Sequence, residues 1–335
     1  MICLRVETSS VCPVGIHLSH RGRYIYSGQT EFAVSSSIKQ SRSEEGCRDN
    51  VPARGLGTAS PKKETMENIL HILRCPLCGG AFLKKDNSLV CEKRHTYDVA
   101  RQGYVNFVPG QKEMFYKKEL FESRAKVFEA GVYAPVVERL GEAIERHVKT
   151  EKPTLLDAGC GEGYYTKAVC PDREMTRVGF DLSKDAVRLA ARGQKTAAFF
   201  AADLKNIPMQ DHSVDVLLDI FTPANYAEFA RVLKEDGLVM KLAPRSGYLK
   251  ELRALAGDRL RHQEYDGGDV ERYVHEKMDV IEQTAITYTL PVTQETAYHL
   301  ARMTPMLAGV DVDALDLSAI TEITIDETLY VGRVR

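Results

Sequence analysis

The chain has 335 residues, of which 44% are hydrophobic and 27% are charged, and its formal net charge at pH 7 is −2. A chain of this length and apolar content can bury a sizeable core in more than one domain. The charge argues against nonspecific polyanion binding by the whole chain, although it leaves room for a local basic patch. The sequence lacks the run of about 18 apolar residues that spans a bilayer and the leader of a secreted protein. We therefore expect a cytoplasmic protein with no membrane partner.

Residues 1–66 are expected to form a disordered extension. Serine and other polar residues dominate 35–46, and Pro and Gly interrupt 51–63. A segment of this composition buries too little apolar area to offset the conformational entropy lost on ordering. The ordered pattern opens at Met66, so a start codon at that position is an alternative that the sequence leaves open.

Residues 67–112 contain a pattern of metal ligands and are expected to form a zinc-binding module. One Cys-x2-Cys pair and one Cys-x3-His pair provide the candidate ligands Cys75, Cys78, Cys91 and His95. Zinc prefers four such ligands in a tetrahedron, and a full set leaves no open position for an activated water. The site is therefore expected to be structural. The alternative is a set of buried cysteines beside an ordinary surface histidine, and whether the module contacts RNA or only caps the fold stays open.

The rest of the chain is expected to consist of a helical linker, 113–150, and an α/β domain, 151–335. Hydrophobic spacing predicts linker helices over 113–130 and 135–148. Beyond them, strands are predicted over 154–158, 177–182, 197–202, 214–221, 238–243, 286–290 and 322–334, and helices over 164–169, 184–192, 224–234, 248–256 and 295–303. Alternation of this kind predicts a Rossmann-like, mainly parallel sheet with helices on both faces, and the last two strands suggest an antiparallel hairpin at its end.

A glycine-rich loop, Asp157-Ala-Gly-Cys-Gly-Glu-Gly163, follows the first of these α/β strands and opens a helix. Gly159, Gly161 and Gly163 allow the backbone to turn sharply and approach a ligand closely. The spacing differs from the G-x-G-x-x-G of dinucleotide sites, and the carboxylates of Asp157 and Glu162 would repel a pyrophosphate. A sulfonium cation suits acidic neighbours better, so we expect S-adenosylmethionine rather than NAD.

Three further acidic residues end later strands, at the edge of a parallel sheet where ligands bind. Asp181 lies 24 residues beyond Asp157 and is expected to hold the ribose hydroxyls. Asp203 could reach the adenine amino group, or it could only cap a turn. Asp219 is a candidate proton acceptor, with turn capping again the alternative.

Several segments resemble the bacterial 23S rRNA (guanine-N1)-methyltransferases, a family that includes enzymes conferring macrolide resistance. These segments are Cys75-Pro-Leu-Cys78, the run 91–106 with His95-Thr-Tyr-Asp98 and Gly103-Tyr-Val-Asn106, the run 123–133 that begins with Ser123-Arg124, the loop 157–163 continued through Tyr165, and Met303-Thr304-Pro305. The resemblance covers roughly residues 70–335 and departs from the family in two places. Met306-Leu307 stands where relatives commonly carry an aromatic pair, and Phe-Thr-Pro-Ala follows Asp219.

The resemblance implies a set of ligands and partners for this chain. It implies structural zinc on the four Cys and His candidates, and S-adenosylmethionine at the loop glycines, Tyr165 and Asp181. It also implies a guanine acceptor in a stem-loop of 23S rRNA, with Thr304 and Pro305 shaping the base pocket. A homodimer across the zinc modules and macrolide resistance are possible further properties.

Three functions are compatible with the sequence. The first is rRNA guanine-N1 methylation, and the second is a class I methyltransferase that acts on a small molecule and uses the zinc module only as a structural cap. The third is an RNA-binding or scaffold protein without catalysis, which the intact cofactor glycines disfavour. The first predicts salt-sensitive RNA binding through residues 70–130, whereas the second predicts none.

Overall fold

The computed structural model describes residues 66–110, 118–193, 196–260 and 267–335. The expected disordered extension lies outside the described residues, apart from Met66, whose side chain is buried. In the described part of the chain, no helix is both long and apolar enough to cross a membrane.

The N-terminal module is a three-stranded antiparallel sheet. Its strands are β1 (Phe82–Lys85), β2 (Ser88–Cys91) and β3 (Thr96–Asp98). A two-residue strand, β4 (Val105–Asn106), leaves this small sheet and joins the edge of the large one. Phe107, directly after β4, stacks on Phe82 of β1 and meets Phe200 edge-on, at centroid distances of 5.7 and 5.5 Å. The module is thus fused to the large sheet by backbone pairing and by an aromatic cluster.

Two helices follow, α1 (Lys118–Glu129) and α2 (Ala134–His147). They match the predictions over 113–130 and 135–148, except that 113–117 lie outside the described residues. Gly131, with φ +76°, forms the turn between them. The buried residues of α2 recur at three- and four-residue spacing, at Val136, Leu140, Ala143 and Ile144, because one face packs on the large sheet.

The large sheet has eight strands and helices on both faces, which confirms the predicted Rossmann-like α/β class. Its remaining strands are β5 (Thr154–Ala158), β6 (Thr176–Asp181), β7 (Ala198–Ala201), β8 (Val214–Ile220), β9 (Leu233–Pro244), β10 (Met278–Pro291) and β11 (Glu322–Val334). The helices are α3 (Tyr164–Ala168), α4 (Lys184–Ala190), α5 (Tyr226–Val232), α6 (Lys250–Ala256), α7 (Gly268–Lys277) and α8 (Gln294–Met303). The strand order is β10-β11-β9-β8-β5-β6-β7-β4, and β11 runs antiparallel to both of its neighbours, β9 and β10, while the other described strands of this sheet run in one direction. The last two strands are therefore an antiparallel pair, as predicted, although helix α8 lies between them in the chain.

Three elements differ from what the sequence pattern predicted. Strand β10 begins at Met278 rather than at 286; the pattern missed its first half, in which exposed and partly buried residues alternate at the sheet edge. Strand β9 begins at Leu233 rather than at 238, within the helix predicted over 224–234. Helix α7 was not predicted, and Val274 is its one buried residue.

Candidate functional site

The site lies at the carboxyl edge of the parallel strands. Strand β5 is flanked by β6 on one side and β8 on the other, so the strand order reverses at β5 and leaves a crevice there. A cavity of about 960 Å³ occupies this crevice. That volume is near the upper end of the roughly 300–1,000 Å³ typical of small-molecule pockets. The cavity can therefore accept a nucleoside cofactor together with part of a second molecule.

The glycine loop forms one wall of the cavity. Gly159, Gly161 and Gly163 have φ of +74°, +56° and +75°, a region that favours glycine. A Cβ on Gly159 would lie 2.3 Å from Oγ1 of Thr222, and one on Gly163 would lie 2.7 Å from the Phe199 ring. Of the three glycines, Gly159 lines the cavity together with Cys160 and Glu162, whereas a Cβ on Gly161 would meet Arg124 and one on Gly163 would meet Phe199.

Asp157, the last acidic residue before the loop, is tied to helix α3. Its Oδ2 accepts a 2.5 Å hydrogen bond from Thr166 Oγ1, and its side chain also lines the cavity. Burial raises the pKa of Asp157 to about 7, although the hydrogen bonds from Thr166 act in the opposite direction. A cation in the cavity would favour the ionised form of this carboxyl.

Asp181 and Asp203 line the same cavity, from the ends of β6 and β7. Oδ2 of Asp181 accepts a 3.0 Å hydrogen bond from Gly161 N, and Oδ1 accepts one of 2.8 Å from Ser183 N. Burial raises the pKa of Asp181, against the effect of these backbone donors. Oδ1 of Asp203 accepts from Lys205 N at 2.9 Å, which is the turn-capping contact considered as its alternative role. The structure therefore brings both residues to the cavity.

Glu162 forms an ion pair with Arg124, a contact that the sequence did not predict. Arg124 of α1 donates from Nε to both carboxylate oxygens, at 3.1 and 3.0 Å. Burial raises the pKa of Glu162, and the charge of Arg124 opposes that rise. In the sequence, Arg124 stands out only as part of a segment that resembles the family; the structure turns it toward the cofactor loop.

An aromatic wall completes the cavity. The phenol oxygens of Tyr133 and Tyr248 are hydrogen-bonded to each other, and the ring of Phe128 stacks on Tyr164 with centroids 3.9 Å apart. Oη of Tyr165 has no hydrogen-bond partner among the described residues, and burial raises its pKa. Phe128, Tyr133 and Tyr164 lie in segments that resemble the family, but the sequence assigned neither them nor Tyr248 to a cavity, because they come from separate segments with no shared local motif.

The end of α8 and the residues that follow it close the far side of the cavity. Met303, Thr304 and Pro305 all line the cavity, as the predicted role of Thr304 and Pro305 in a base pocket requires. Thr304 is buried, and its Oγ1 accepts a 3.4 Å hydrogen bond from the Met306 backbone. Sδ of Met306 contacts Nη2 of Arg253 at 2.9 Å. Met306, at which the sequence departs from the family pattern, therefore contacts helix α6 behind this wall.

Asp219, the candidate proton acceptor, lies elsewhere. Its side chain is 0% exposed and pairs with Lys241 Nζ at 3.0 Å. Burial raises the pKa of Asp219, and the Lys241 charge opposes the rise. The cavity is lined by the neighbours Ile220, Phe221 and Thr222 but not by Asp219. Its carboxyl thus has no contact with the space in which a substrate would bind.

The four candidate zinc ligands form one cluster in the N-terminal module. Their ligand atoms all lie within 4.8 Å of one another. Nδ1 of His95 is 3.4 Å from the sulfurs of both Cys75 and Cys91, and the sulfurs of Cys78 and Cys91 are 3.6 Å apart. Zinc–sulfur bonds of about 2.3 Å in a tetrahedron require sulfurs roughly 3.8 Å apart. The donor set and its spacing therefore fit a four-coordinate zinc ion.

Local backbone geometry explains why the four side chains converge. The first pair lies on a tight turn in which Gly79 N donates to Cys75 O at 2.7 Å. The second lies on a similar turn, where Arg94 N donates to Cys91 O at 2.8 Å and Arg94 adopts φ +64°. Each turn presents two ligands on one side.

Comparison with known proteins covers both parts of the chain. The zinc-ribbon family described as "RlmA, N-terminal" matches residues 73–114, and the family described as "Methyltransferase domain" matches residues 155–237. YxjB of Bacillus subtilis (strain 168), whose name assigns it to 23S rRNA (guanine-N(1)-) methylation, is 35% identical over 274 residues, which are 78% of this chain and 96% of YxjB. The 23S rRNA (guanine(748)-N(1))-methyltransferase of Streptomyces fradiae is 30% identical over 276 residues, which are 80% of this chain and 98% of that enzyme.

Proposed function

The chain belongs to the family of 23S rRNA (guanine-N(1)-)-methyltransferases, and we propose that it transfers a methyl group from S-adenosylmethionine to N1 of a guanine in a 23S rRNA stem-loop. The observation that carries this proposal is the single cavity that extends from the glycine loop to Thr304 and Pro305. It offers a place for the cofactor at one end and for an unstacked base at the other. Extruding a base costs a few kcal/mol, which is lowest in loops.

We propose that the residues predicted from the sequence hold the cofactor in the following way. The backbone of Gly159, Gly161 and Gly163 lies against its methionine part, and the carboxylates of Asp157 and Glu162 favour its positive charges. Asp181 would bind the ribose, Asp203 the adenine, and Tyr165 would pack against the cofactor. When bound, S-adenosylmethionine supplies an electrophilic methyl group.

The protein's remaining task is to orient the base and release its proton. N1 of guanine carries a proton at neutral pH, so this proton must leave as the methyl group arrives. Asp219 as its acceptor remains a prediction, and its buried position beside Lys241 favours a different role. Catalysis would then rest mainly on alignment of methyl group and acceptor.

We also propose that zinc on Cys75, Cys78, Cys91 and His95 is structural and that residues 67–112, 113–150 and 151–335 act as RNA-contacting module, linker and catalytic domain. A cytoplasmic location, where ribosomes are found, and a homodimer across the zinc modules complete the proposal. Sedimentation of the purified protein tests the dimer.

The direct test is mass mapping of 23S rRNA from a host that lacks this activity, with and without the gene. The expected result is one new monomethylated guanine that blocks reverse transcription, and its loss in Asp181→Ala. Growth on macrolides in the same strains tests resistance. If neither ribosomes nor free rRNA acquires the mark, the rRNA proposal falls and a small-molecule acceptor replaces it.

A further inference from the structure

Asp219 and Lys241 form a buried ion pair in the middle of the large sheet. They lie opposite each other in the register of β8 and β9, with 0% and 8% of their side chains exposed. Removing two charges from water is costly, and a buried ion pair is often no more stabilising than apolar residues of similar size. Its presence beside the cavity therefore calls for a reason other than stability.

Lys241 makes a second contact, to the segment that leaves β8. Its Nζ donates a 2.5 Å hydrogen bond to the carbonyl oxygen of Thr222. The preceding residue, Phe221, has φ +54°, in the left-handed region that a bulky residue rarely adopts. Such a conformation is strained and persists only where the surroundings enforce it. The hydrogen bond from Lys241 to the Thr222 carbonyl holds the next residue and so supports this conformation of Phe221.

The segment 221–223 separates two parts of the cavity. Thr222 packs directly over Gly159, where no Cβ could be accommodated. The ring of Phe221 packs on Tyr248 of the aromatic wall, with centroids 5.5 Å apart. The backbone of 221–223 therefore runs from the cofactor loop to the aromatic wall. A displacement of about 1 Å in a segment that positions the reacting groups can lower the rate of methyl transfer about a hundredfold.

We propose that Asp219 and Lys241 are positioning residues for methyl transfer, because their buried pair holds the backbone of Thr222 and so fixes the segment 221–223 between cofactor and base. This inference rests on the proposed function. Asp219 orients the ammonium group of Lys241, and Lys241 fixes the Thr222 carbonyl. Neither residue touches the substrate.

The test replaces the pair with apolar residues. Asp219→Leu combined with Lys241→Met removes both charges, a change that buried pairs often tolerate without loss of stability, while it abolishes the bond to Thr222. Asp219→Asn is the milder second variant, since it keeps the shape of the side chain but removes the charge that orients Lys241 toward the Thr222 carbonyl, so that the hydrogen bond to Thr222 is weakened rather than abolished. Lys234→Met is the matched control, because Lys234 pairs with Asp215 at 2.8 Å on the same two strands, near the opposite end of β8.

Two measurements are made on each variant. Amide hydrogen exchange at 221, 222 and 224 is expected to rise about tenfold in the double variant, which corresponds to about 1.4 kcal/mol of local opening, and to stay unchanged at 155–158. We also expect kcat for rRNA to fall by at least about tenfold with nearly unchanged KM for S-adenosylmethionine. In Asp219→Asn, a positioning role lowers kcat equally at every pH, whereas loss of a base would alter the pH profile. Lys234→Met should match the wild type.

The two proposals can fail separately. A folded double variant with wild-type exchange at 221–224 and wild-type kcat overturns the positioning role. A wild-type protein that is inactive on rRNA overturns the proposed function, and the exchange measurement still decides whether the pair holds the segment. Should the double variant not fold, unchanged exchange and a changed pH profile in Asp219→Asn would overturn the inference.

Discussion

Arg124 Nε lies 3.1 and 3.0 Å from the two carboxylate oxygens of Glu162 and joins helix α1 to the cofactor loop. Glu162 is buried, whereas 27% of the Arg124 side chain is exposed. The pair ties the first helix after the zinc module to the wall of the cavity. Because Leu120, Phe121 and Phe128 of the same helix also line the cavity, this contact determines how far that helix covers the cofactor site.

Arg124→Met is therefore expected to lower both stability and cofactor affinity. Breaking a buried pair costs about 3–5 kcal/mol, and we expect about 2 kcal/mol here because Arg124 is partly exposed. Arg124→Met combined with Glu162→Gln should recover part of that loss, since no unpaired charge remains. Urea unfolding and calorimetric titration with S-adenosylmethionine measure the two effects.

Lys126→Met is the control for the double-mutant cycle of Arg124 and Glu162. Lys126 lies on the same helix and pairs with Glu129 at 3.0 Å, but both side chains are mostly exposed. We expect no change in stability or affinity. Additive effects of the Arg124 and Glu162 substitutions would show that the pair does not couple helix to loop.

Gly159→Ala is expected to abolish cofactor binding. Its Cβ would lie 2.3 Å from Thr222 Oγ1, so that either the loop or the segment 221–223 must move. Gly131→Ala provides the control: Gly131 has nearly the same φ, +76° against +74°, but nothing lies within 4 Å of the added Cβ. We expect the control to lose about 1 kcal/mol of stability from backbone strain and to bind the cofactor normally. Equal affinities in the two variants would contradict the packing argument.

Cofactor affinity is expected to depend on pH through Asp157. Its pKa of about 7 in the folded protein lies above its ordinary value of about 3.9. The folded state therefore holds this proton more tightly, and the contribution of this group to stability falls as pH rises from about 4 to 7. A bound cation favours the carboxylate, so affinity for S-adenosylmethionine should rise about tenfold between pH 6 and 8.

Asp157→Asn separates this effect from titration of the cofactor. The amino group of the cofactor has an ordinary pKa of about 7.7–8.0 and titrates over the same range. Calorimetric titrations at pH 6 and pH 8 should show the rise in the wild type and not in the variant. An identical pH dependence in both proteins would remove Asp157 from the explanation.

Zinc removal is expected to disrupt the N-terminal module first. Binding of structural zinc is worth about 10–16 kcal/mol in small modules, and this module also supplies β4 and Phe107 to the large sheet. We expect Cys78→Ser to lose bound zinc and rRNA methylation while retaining affinity for S-adenosylmethionine. Cys170→Ser is the control, since Cys170 is partly buried and lies outside the cluster. Full methylation by zinc-free protein would show that the module is dispensable.

The sequence by itself determined the features that depend on neighbours in the chain. The ligand spacing grouped Cys75 with Cys78 and Cys91 with His95 on tight turns. The loop glycines marked the end of β5, and long apolar runs marked the parallel strands, because buried strands need apolar residues on both faces. All of these follow from local backbone geometry and hydrophobic period.

Only the tertiary structure decided which charged groups meet and which of them reach the cavity. Asp203 and Asp219 look alike in sequence, as acidic residues at strand ends, yet one lines the cavity and the other is buried against Lys241. The difference arises from the pleat of β8, which sets the direction of the Asp219 side chain, and from Lys241 on the neighbouring strand β9. Lys241 lies 22 residues further along the chain and directly opposite Asp219 in the register of the sheet. Pairing across the sheet is nonlocal, so no local pattern encodes it. The same holds for Arg124 and Glu162, which are 38 residues apart in the chain and meet only when α1 packs over the loop.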